Sequence, residues 1–247
     1  MTSKKTKSAE ITKALERYKQ RTGHELELPL AVLFDMDGVL YDSMPDHCRA
    51  WKQMCDENGI IAEPEEFLAY EGRTGASTID ILLKRQFGRG ATDDDVTRLY
   101  GRKSELFKAM GEPPIMPGAQ RALDIVAAKG ALPVLVTGSG QASILTRLDR
   151  DYPGRFPAWR RVTAHDVKYG KPDPEPYLMG MQKAHTQPWR TIAVDNAPLG
   201  VESASRSGAF TIGVRTGPLP EGALMASGAD IEIFSMEACA DLLSDLL

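Results

Sequence analysis

The sequence predicts an α/β protein: a parallel sheet covered on both faces by helices, with an all-helical block inserted after the first strand. Three observations predict it. Short apolar runs bounded by turn residues recur at 31–34, 132–136, 161–163, 191–194 and 210–214, with 230–234 as a further edge strand. Amphipathic stretches separate these runs, and such alternation implies strands joined by helical crossovers. The chemically distinctive residues fall just past the strand ends, where open sheets of this kind bind their ligands.

The first 28 residues are polar and rich in Lys at their start. Ile11, Leu15 and Tyr18 have helical spacing, so the segment reads as a tail or a short peripheral helix over 9–20. The apolar run 30–34 then ends abruptly in Asp35-Met36-Asp37-Gly38. Carboxylates at the tip of a buried strand need a cation or a task, because burying them unpaired is expensive. Residues i and i+2 share a face of an extended chain, so Asp35 and Asp37 can address one Mg²⁺, while Gly38 frees the backbone to turn away. Taken alone, such an acid pair is as well read as a loop that caps the next helix.

Between Asp42 and Pro117 there is no strand candidate. Helical runs carry Trp51, Met54 and Cys55, then Ile79, Leu82, Leu83 and Phe87, then Val96, Leu99, Tyr100, Phe107 and Met110. Thr92 and Asp95 have the spacing of a capping box. A block of about 70 residues of this kind suits a small helical bundle whose apolar residues are mostly core. The expected organisation is an N-terminal extension (1–28), a core (29–44 and 117–247) and a helical insertion (45–116), hinged near Met44-Pro45 and near Ile115 to Gly118. In the core, a helix over 119–129 stops at Gly130. Asp173 fits an N-cap with Pro174 at the first helical position. A helix over 199–207 runs to Gly208.

Composition excludes some classes. At 247 residues the chain can bury a sizeable core. A net charge of −4 argues against nucleic acid as a partner. Cys48, Cys55 and Cys239 are few and scattered, which suits buried thiols in a reducing compartment better than disulfides or a zinc site. No apolar run is long enough to span a bilayer, and the start lacks the apolar centre of a signal peptide. A cytoplasmic monomer without membrane or nucleic-acid partners is expected.

The run 132–136 leads into Thr137-Gly138-Ser139-Gly140; Lys171-Pro172-Asp173-Pro174 follows, and the run 191–194 ends in Asp195-Asn196. Singly, Thr137 reads as an N-cap and Lys171 as a loop lysine. Together with Asp35 and Asp37, in this order and at strand ends, they resemble the four motifs of the haloacid dehalogenase superfamily. The resemblance runs from about Leu30 to the C-terminus. It implies a Rossmann-like core, a type I helical cap at the insertion, and Mg²⁺-dependent phosphoryl transfer. Carried over residue by residue, it makes Asp35 the nucleophile that forms an aspartyl phosphate. Asp37 gives its backbone carbonyl to the metal, and its carboxyl serves as acid and then base. Thr137 and Lys171 hold the phosphoryl oxygens, with the N–H groups of Gly138 and Ser139 added.

The fourth motif departs from the family pattern. Relatives usually carry two acids there, whereas Asn196 brings an amide oxygen but no charge, and Asp195 acts through water. Glu71, in the loop Glu71-Gly72-Arg73-Thr74-Gly75-Ala76-Ser77-Thr78, stands at the family's specificity loop and could replace that charge on the metal. Arg73 and Lys103 are the cationic clamps of the insertion, although surface cations covering apolar neighbours look the same in sequence. His47 either orients Asp37 or satisfies a local hydrogen bond. His24, His165 and His185 read as structural.

The nearest subgroup by resemblance is that of β-phosphoglucomutase. Its sugar mutases carry an arginine where Gly75 stands and a lysine where Glu71 stands, which argues against mutase action. The 71–78 loop, the 136–141 run and the 166–172 run resemble the inorganic pyrophosphatase branch of the subgroup. Pyrophosphate hydrolysis is therefore the expected activity. A hexose-phosphate phosphatase or a β-phosphoglucomutase-type phosphotransferase is the alternative, and a non-catalytic phosphate-binding protein is the third reading.

Overall fold

The computed structural model describes residues 2–139 and 142–247; Gly140 and Gln141, part of the 136–141 run, lie outside them. Six strands form one parallel sheet in the order β3-β2-β1-β4-β5-β6. They are β1 (Ala31–Phe34), β2 (Leu132–Val136), β3 (Arg161–Val162), β4 (Thr191–Asp195), β5 (Phe210–Val214) and β6 (Ile231–Ile233). β1 is central and is paired with β2 on one side and β4 on the other. Both of its faces are buried: Val32 and Phe34 enter one hydrophobic cluster, Ala31 and Leu33 the other. That double burial is why the strands read as continuous apolar runs rather than alternating ones. β3 stops one residue short of the expected 161–163, β4 runs one residue further to include Asp195, and β6 is the narrower core of 230–234.

An N-terminal helix, α1 (Thr2–Thr22), precedes the sheet. It is neither a tail nor short, which corrects the expectation. Ile11, Ala14, Leu15 and Tyr18 face the main core. Tyr18 is fully buried, meets Phe210 edge to face at 5.7 Å, and donates to the Gly208 carbonyl at 3.1 Å. Burying such side chains stabilises by about 1.5–3 kcal/mol each, enough to hold a helix of weak intrinsic amphipathicity in place.

The insertion between β1 and β2 holds α2 (Met44–Glu57), α3 (Glu66–Ala69), α4 (Gly75–Phe87) and α5 (Asp93–Ala109), packed on their own hydrophobic cluster around Met54, Phe67, Leu82 and Phe107. Thr92 and Asp95 close the reciprocal capping box that starts α5. Strand-like links join the insertion to the core: Asp42 N–H donates to Pro114 O at 2.9 Å, and Met116 N–H to Leu40 O at 2.9 Å.

Beyond it, α6 (Ala119–Ala128) and α7 (Ala142–Asp151) follow in sequence. α8 (Glu175–Lys183), α9 (Pro198–Arg206), α10 (Ala223–Ala226) and α11 (Met236–Leu246) complete the chain. α8 starts one residue later than expected, yet the Asp173 carboxylate still accepts from Glu175 N–H at 2.9 Å. α6 and α11 pack together in the main cluster, while α8 lies against the opposite face with Tyr177 and Met181. α3 and α10 were not foreseen; one turn is too short to show a helical period. All three cysteines are buried and unpaired.

Candidate active site

Every strand is parallel, so the carboxyl ends of β1, β2 and β4 open on one edge, with Asp35, Thr137 and Asp195 at their tips. Asp35 extends the ladder through its N–H to Val194 O at 3.0 Å. The chain then reverses: Met36 O accepts from Leu40 and Tyr41 N–H groups at 2.8 and 3.0 Å. Gly38 makes this possible at φ +78°, and a Cβ there would lie 2.0 Å from Asn196 Nδ2. Only glycine serves at such a position.

Lys171 Nζ donates to Asp35 Oδ1 at 2.6 Å and to Asp195 Oδ2 at 2.7 Å. Its loop is pinned from both sides. Asp166 accepts from Thr163 N–H and Oγ1–H at 2.9 and 2.8 Å, and Glu175 accepts from Lys168 and Tyr169 N–H groups at 3.0 and 2.7 Å. Burial pushes the Asp35 carboxyl up to about 7, against the pull of Lys171 and with help from Asp195 and Asp37. Burial opposes the Lys171 charge, but Asp195 and Asp35 prevail and its pKa is raised. Asp195 is fully engaged: Tyr177 Oη donates to Oδ2 at 2.5 Å and Ala197 N–H to Oδ1 at 3.0 Å. The start of α9 presses on it, since a Cβ at Gly200 would lie 2.1 Å from that carboxylate. Asp195 therefore fixes Lys171 directly, beyond the water-mediated metal role expected of it.

Asp37 belongs to a second chain of contacts. Its Oδ1 accepts from Ser43 Oγ–H at 2.5 Å and meets His47 Nε2 at 3.1 Å. His47 Nδ1 stands 2.6 Å from Lys103 Nζ, and the imidazole stacks on Phe107 at 4.1 Å. A neutral imidazole fits: Nε2–H donates to the carboxylate while Nδ1 accepts from the ammonium. Burial works against the Asp37 charge, but His47, Ser43 and Lys103 outweigh it and hold the carboxyl at about 2. Burial lowers the His47 pKa and brings Lys103 down to about 8. Of the two readings of His47, the contact with Asp37 is the one present. Lys103 is 2% exposed among the Trp51, Tyr100 and Phe107 rings, so it is not a surface cation.

Thr137 Oγ1 accepts from Ser139 N–H at 3.0 Å, which sets the turn after β2 and leaves the hydroxyl proton available. The 71–74 loop sits directly on this turn. A Cβ at Gly138 would meet Gly72 O at 3.1 Å and Arg73 O at 3.3 Å, and one at Gly72 would meet Lys171 Cδ at 3.2 Å. The insertion is thus closed over the sheet edge. Closure brings Glu71 Oε1 to Asn196 Nδ2 at 2.8 Å. Burial first, then Asp35, Asp195 and Asp37, push the Glu71 carboxyl well up, despite the Asn196 bond. Asn196 Oδ1 is buried with no hydrogen-bond partner. Arg73 reaches Ser77 Oγ at 3.3 Å through Nη1, while its Nε is buried without a partner.

A cation fits this donor set. Glu71, Asp35 and Asn196 offer hard oxygen ligands, one of them orphaned. Among the described residues, however, no three His, Cys, Asp or Glu side chains already stand together as a ready cluster.

The cavity measures about 80 Å³ and is bounded by Asp35, Asp37, Glu71, Arg73, Lys103 and Ser139, with an aromatic wall of Trp51, Phe67, Tyr70 and Tyr100. All the expected site residues converge around it or directly behind it. Sequence reasoning missed Tyr177, Ser43 and the aromatic wall. Tyr177 has no motif, and the wall residues carry a core period that gives no hint of their second face.

Comparison with known proteins agrees with this arrangement. The family model described as haloacid dehalogenase-like hydrolase matches residues 29–208. The chain belongs to that family. It is 30% identical over 83% of its length, and 90% of the relative's, to Hexitol phosphatase A of Escherichia coli. It is 26% identical over 88% of its length, and 99% of the relative's, to a phosphorylated carbohydrates phosphatase of Thermotoga maritima. A solved structure from Bacteroides vulgatus, provisionally named a β-phosphoglucomutase, is 42% identical with a TM-score of 0.91, covering 97% of this chain and 98% of that one. The β-phosphoglucomutase-like subgroup is thereby supported, and the protein is a phosphatase of this superfamily. The expected pyrophosphatase branch finds no counterpart among these relatives, whose names point to phosphorylated sugars.

Proposed function

We propose that the protein hydrolyses small phosphorylated carbohydrates through an aspartyl phosphate on Asp35, with the insertion at 45–116 acting as a cap. Asp35 Oδ attacks phosphorus in line, and the bond to the leaving oxygen breaks as the new P–O bond forms. Lys171 and Thr137, with the N–H group of Gly138, take the charge on the phosphoryl oxygens, while the Ser139 N–H is engaged by Thr137 Oγ1 at 3.0 Å and sets the turn, which corrects the direct role expected of it. Asp37, oriented by His47 and Ser43, takes the proton of the water that cleaves the aspartyl phosphate, and it protonates a leaving oxygen only in that protonated form. Asp35, the Asp37 carbonyl, Asn196 and Glu71 would hold Mg²⁺, which when bound neutralises the carboxylate and the phosphoryl oxygens. The single observation that carries the reading is Asp35 paired with Lys171 at 2.6 Å under a closed loop; the relatives' names supply the sugar class.

Inorganic pyrophosphate is the second reading, and two observations favour it. The 80 Å³ cavity is narrow and offers the cations Arg73 and Lys103. Asp37 is held ionised at about 2, and a phosphate leaving group needs a proton less than a sugar alkoxide does. Mutase action is disfavoured, since Gly75 and Glu71 stand where the sugar mutases carry their arginine and lysine. Phosphate release with Mg²⁺ on glycerol, erythrose, hexitol, fructose and glucose phosphates and on pyrophosphate tests both. The first reading expects the highest kcat/KM on a sugar ester. A higher value on pyrophosphate installs the second, and release from none of them overturns both.

A further inference from the structure

Gly75 opens α4, and its backbone lies outside the left-handed region, so its conformation does not require glycine. The neighbouring space does. A Cβ at 75 would sit 2.2 Å from Tyr100 Cδ2 and 2.3 Å from Cε2. The Tyr100 ring therefore fills the place of the missing side chain. It is backed by Trp51, 6.2 Å away centroid to centroid, and Lys103 Nζ lies 5.9 Å from its centre. Gly75 and Tyr100 line the same cavity as Asp35 and Ser139. The cavity they line measures about 80 Å³, well under the roughly 300 Å³ at which small-molecule pockets usually begin.

We infer that Tyr100 is a size filter for the leaving group and that Gly75 is kept small to seat it. The inference rests on the phosphatase reading and narrows it. The substrates that fit the closed site are phosphates with a short leaving group, such as three- or four-carbon polyol or sugar esters or a second phosphate, in preference to hexose phosphates. The ring wall sets a steric limit and contributes no proton or charge to the reaction.

The test measures kcat/KM with Mg²⁺ for glycerol 3-phosphate, erythrose 4-phosphate and glucose 6-phosphate. The variants are Tyr100→Ala, Tyr100→Phe, Gly75→Ala and the Gly75→Ala/Tyr100→Ala double. Tyr100→Ala is expected to raise the ratio of glucose 6-phosphate to glycerol 3-phosphate by about tenfold or more, the scale of a pocket-size change. Tyr100→Phe retains the ring and keeps the wild-type ratio. Gly75→Ala lowers kcat/KM on every substrate, and adding Tyr100→Ala restores part of the loss, a coupling that independent sites do not show. If the alanine variant fails to fold, Tyr100→Leu makes the same comparison. A folded Tyr100 variant with an unchanged ratio, or strictly additive losses at 75 and 100, overturns the inference. Failure of the underlying phosphatase reading looks different: the wild-type protein then releases phosphate from none of the three.

Discussion

At the scale of single residues, the account turns on how a neutral amide is accommodated where charge is wanted. Asn196 offers Oδ1 without a partner, and Glu71 comes down from the insertion to bond its Nδ2 at 2.8 Å. Burial first, and then the neighbouring Asp35, Asp195 and Asp37, raise the Glu71 carboxyl against the Asn196 bond. If Glu71 supplies the charge that Asn196 lacks, Glu71→Gln weakens Mg²⁺ binding by about tenfold, the low end for removal of a metal-supporting group. Calorimetric titration of Mg²⁺ into the variant checks this independently of turnover. An unchanged affinity, or full activity at limiting Mg²⁺, removes Glu71 from the metal site.

At the scale of elements, α1 shows what an ion pair contributes when it is buried from one side only. Arg21 grips Asp230 through Nη2 at 2.6 Å and reaches the Ser205 and Ala209 carbonyls at 2.6 and 2.9 Å. Burial pushes the Asp230 carboxyl up, against the pull of Arg21. Arg21→Met would strand that acid and cost about 2–4 kcal/mol, lowering the melting temperature by roughly 5–10 °C at pH 8. The sign with pH follows. Without Arg21 the folded-state pKa of Asp230 climbs further above its unfolded value of about 3.9, so the ion-pair part of the penalty is absent when Asp230 is protonated in both proteins. It grows as pH rises through the folded pKa. The deficit in melting temperature should be largest at pH 8 and shrink by pH 4 to the part owed to the Ser205 and Ala209 carbonyls; the opposite trend would contradict the pairing. This element also marks the limit of what the sequence discloses. Ile11, Leu15 and Tyr18 were legible as one face, but the partner of Arg21 lies 209 residues away and leaves no local trace. Strands were legible because β1 and β4 are buried on both faces, and α5 because Thr92 and Asp95 cap it locally. Asp35, Lys171 and Asp195 were legible by order along the chain. Tyr177 was not, because its hydrogen bond to Asp195 exists only after α8 docks against β1 and β2.

At the scale of the whole molecule, the sheet edge and the helical insertion meet along a narrow seam. The seam rests on glycine: Gly138 admits the Gly72 and Arg73 carbonyls at 3.1 and 3.3 Å from where its Cβ would lie. The backbone bonds Asp42–Pro114 and Leu40–Met116 tie the two bodies together where the chain crosses between them. Gly138→Val should hold the seam apart without unfolding either core. The expected outcome is a loss of about 10²-fold in kcat/KM, the scale of a displaced positioning contact, with a melting temperature close to wild type. A variant with intact turnover would show that closure is not needed for the reaction.

The most direct measurement asks where the phosphoryl group goes. Acid-quenched enzyme caught during turnover is reduced with borohydride, which converts an aspartyl phosphate to homoserine, and peptide mass spectrometry locates the change. The account predicts modification at residue 35 alone, absent from Asp35→Asn. A labelled residue elsewhere, or an unlabelled enzyme turning over at full rate, would contradict it.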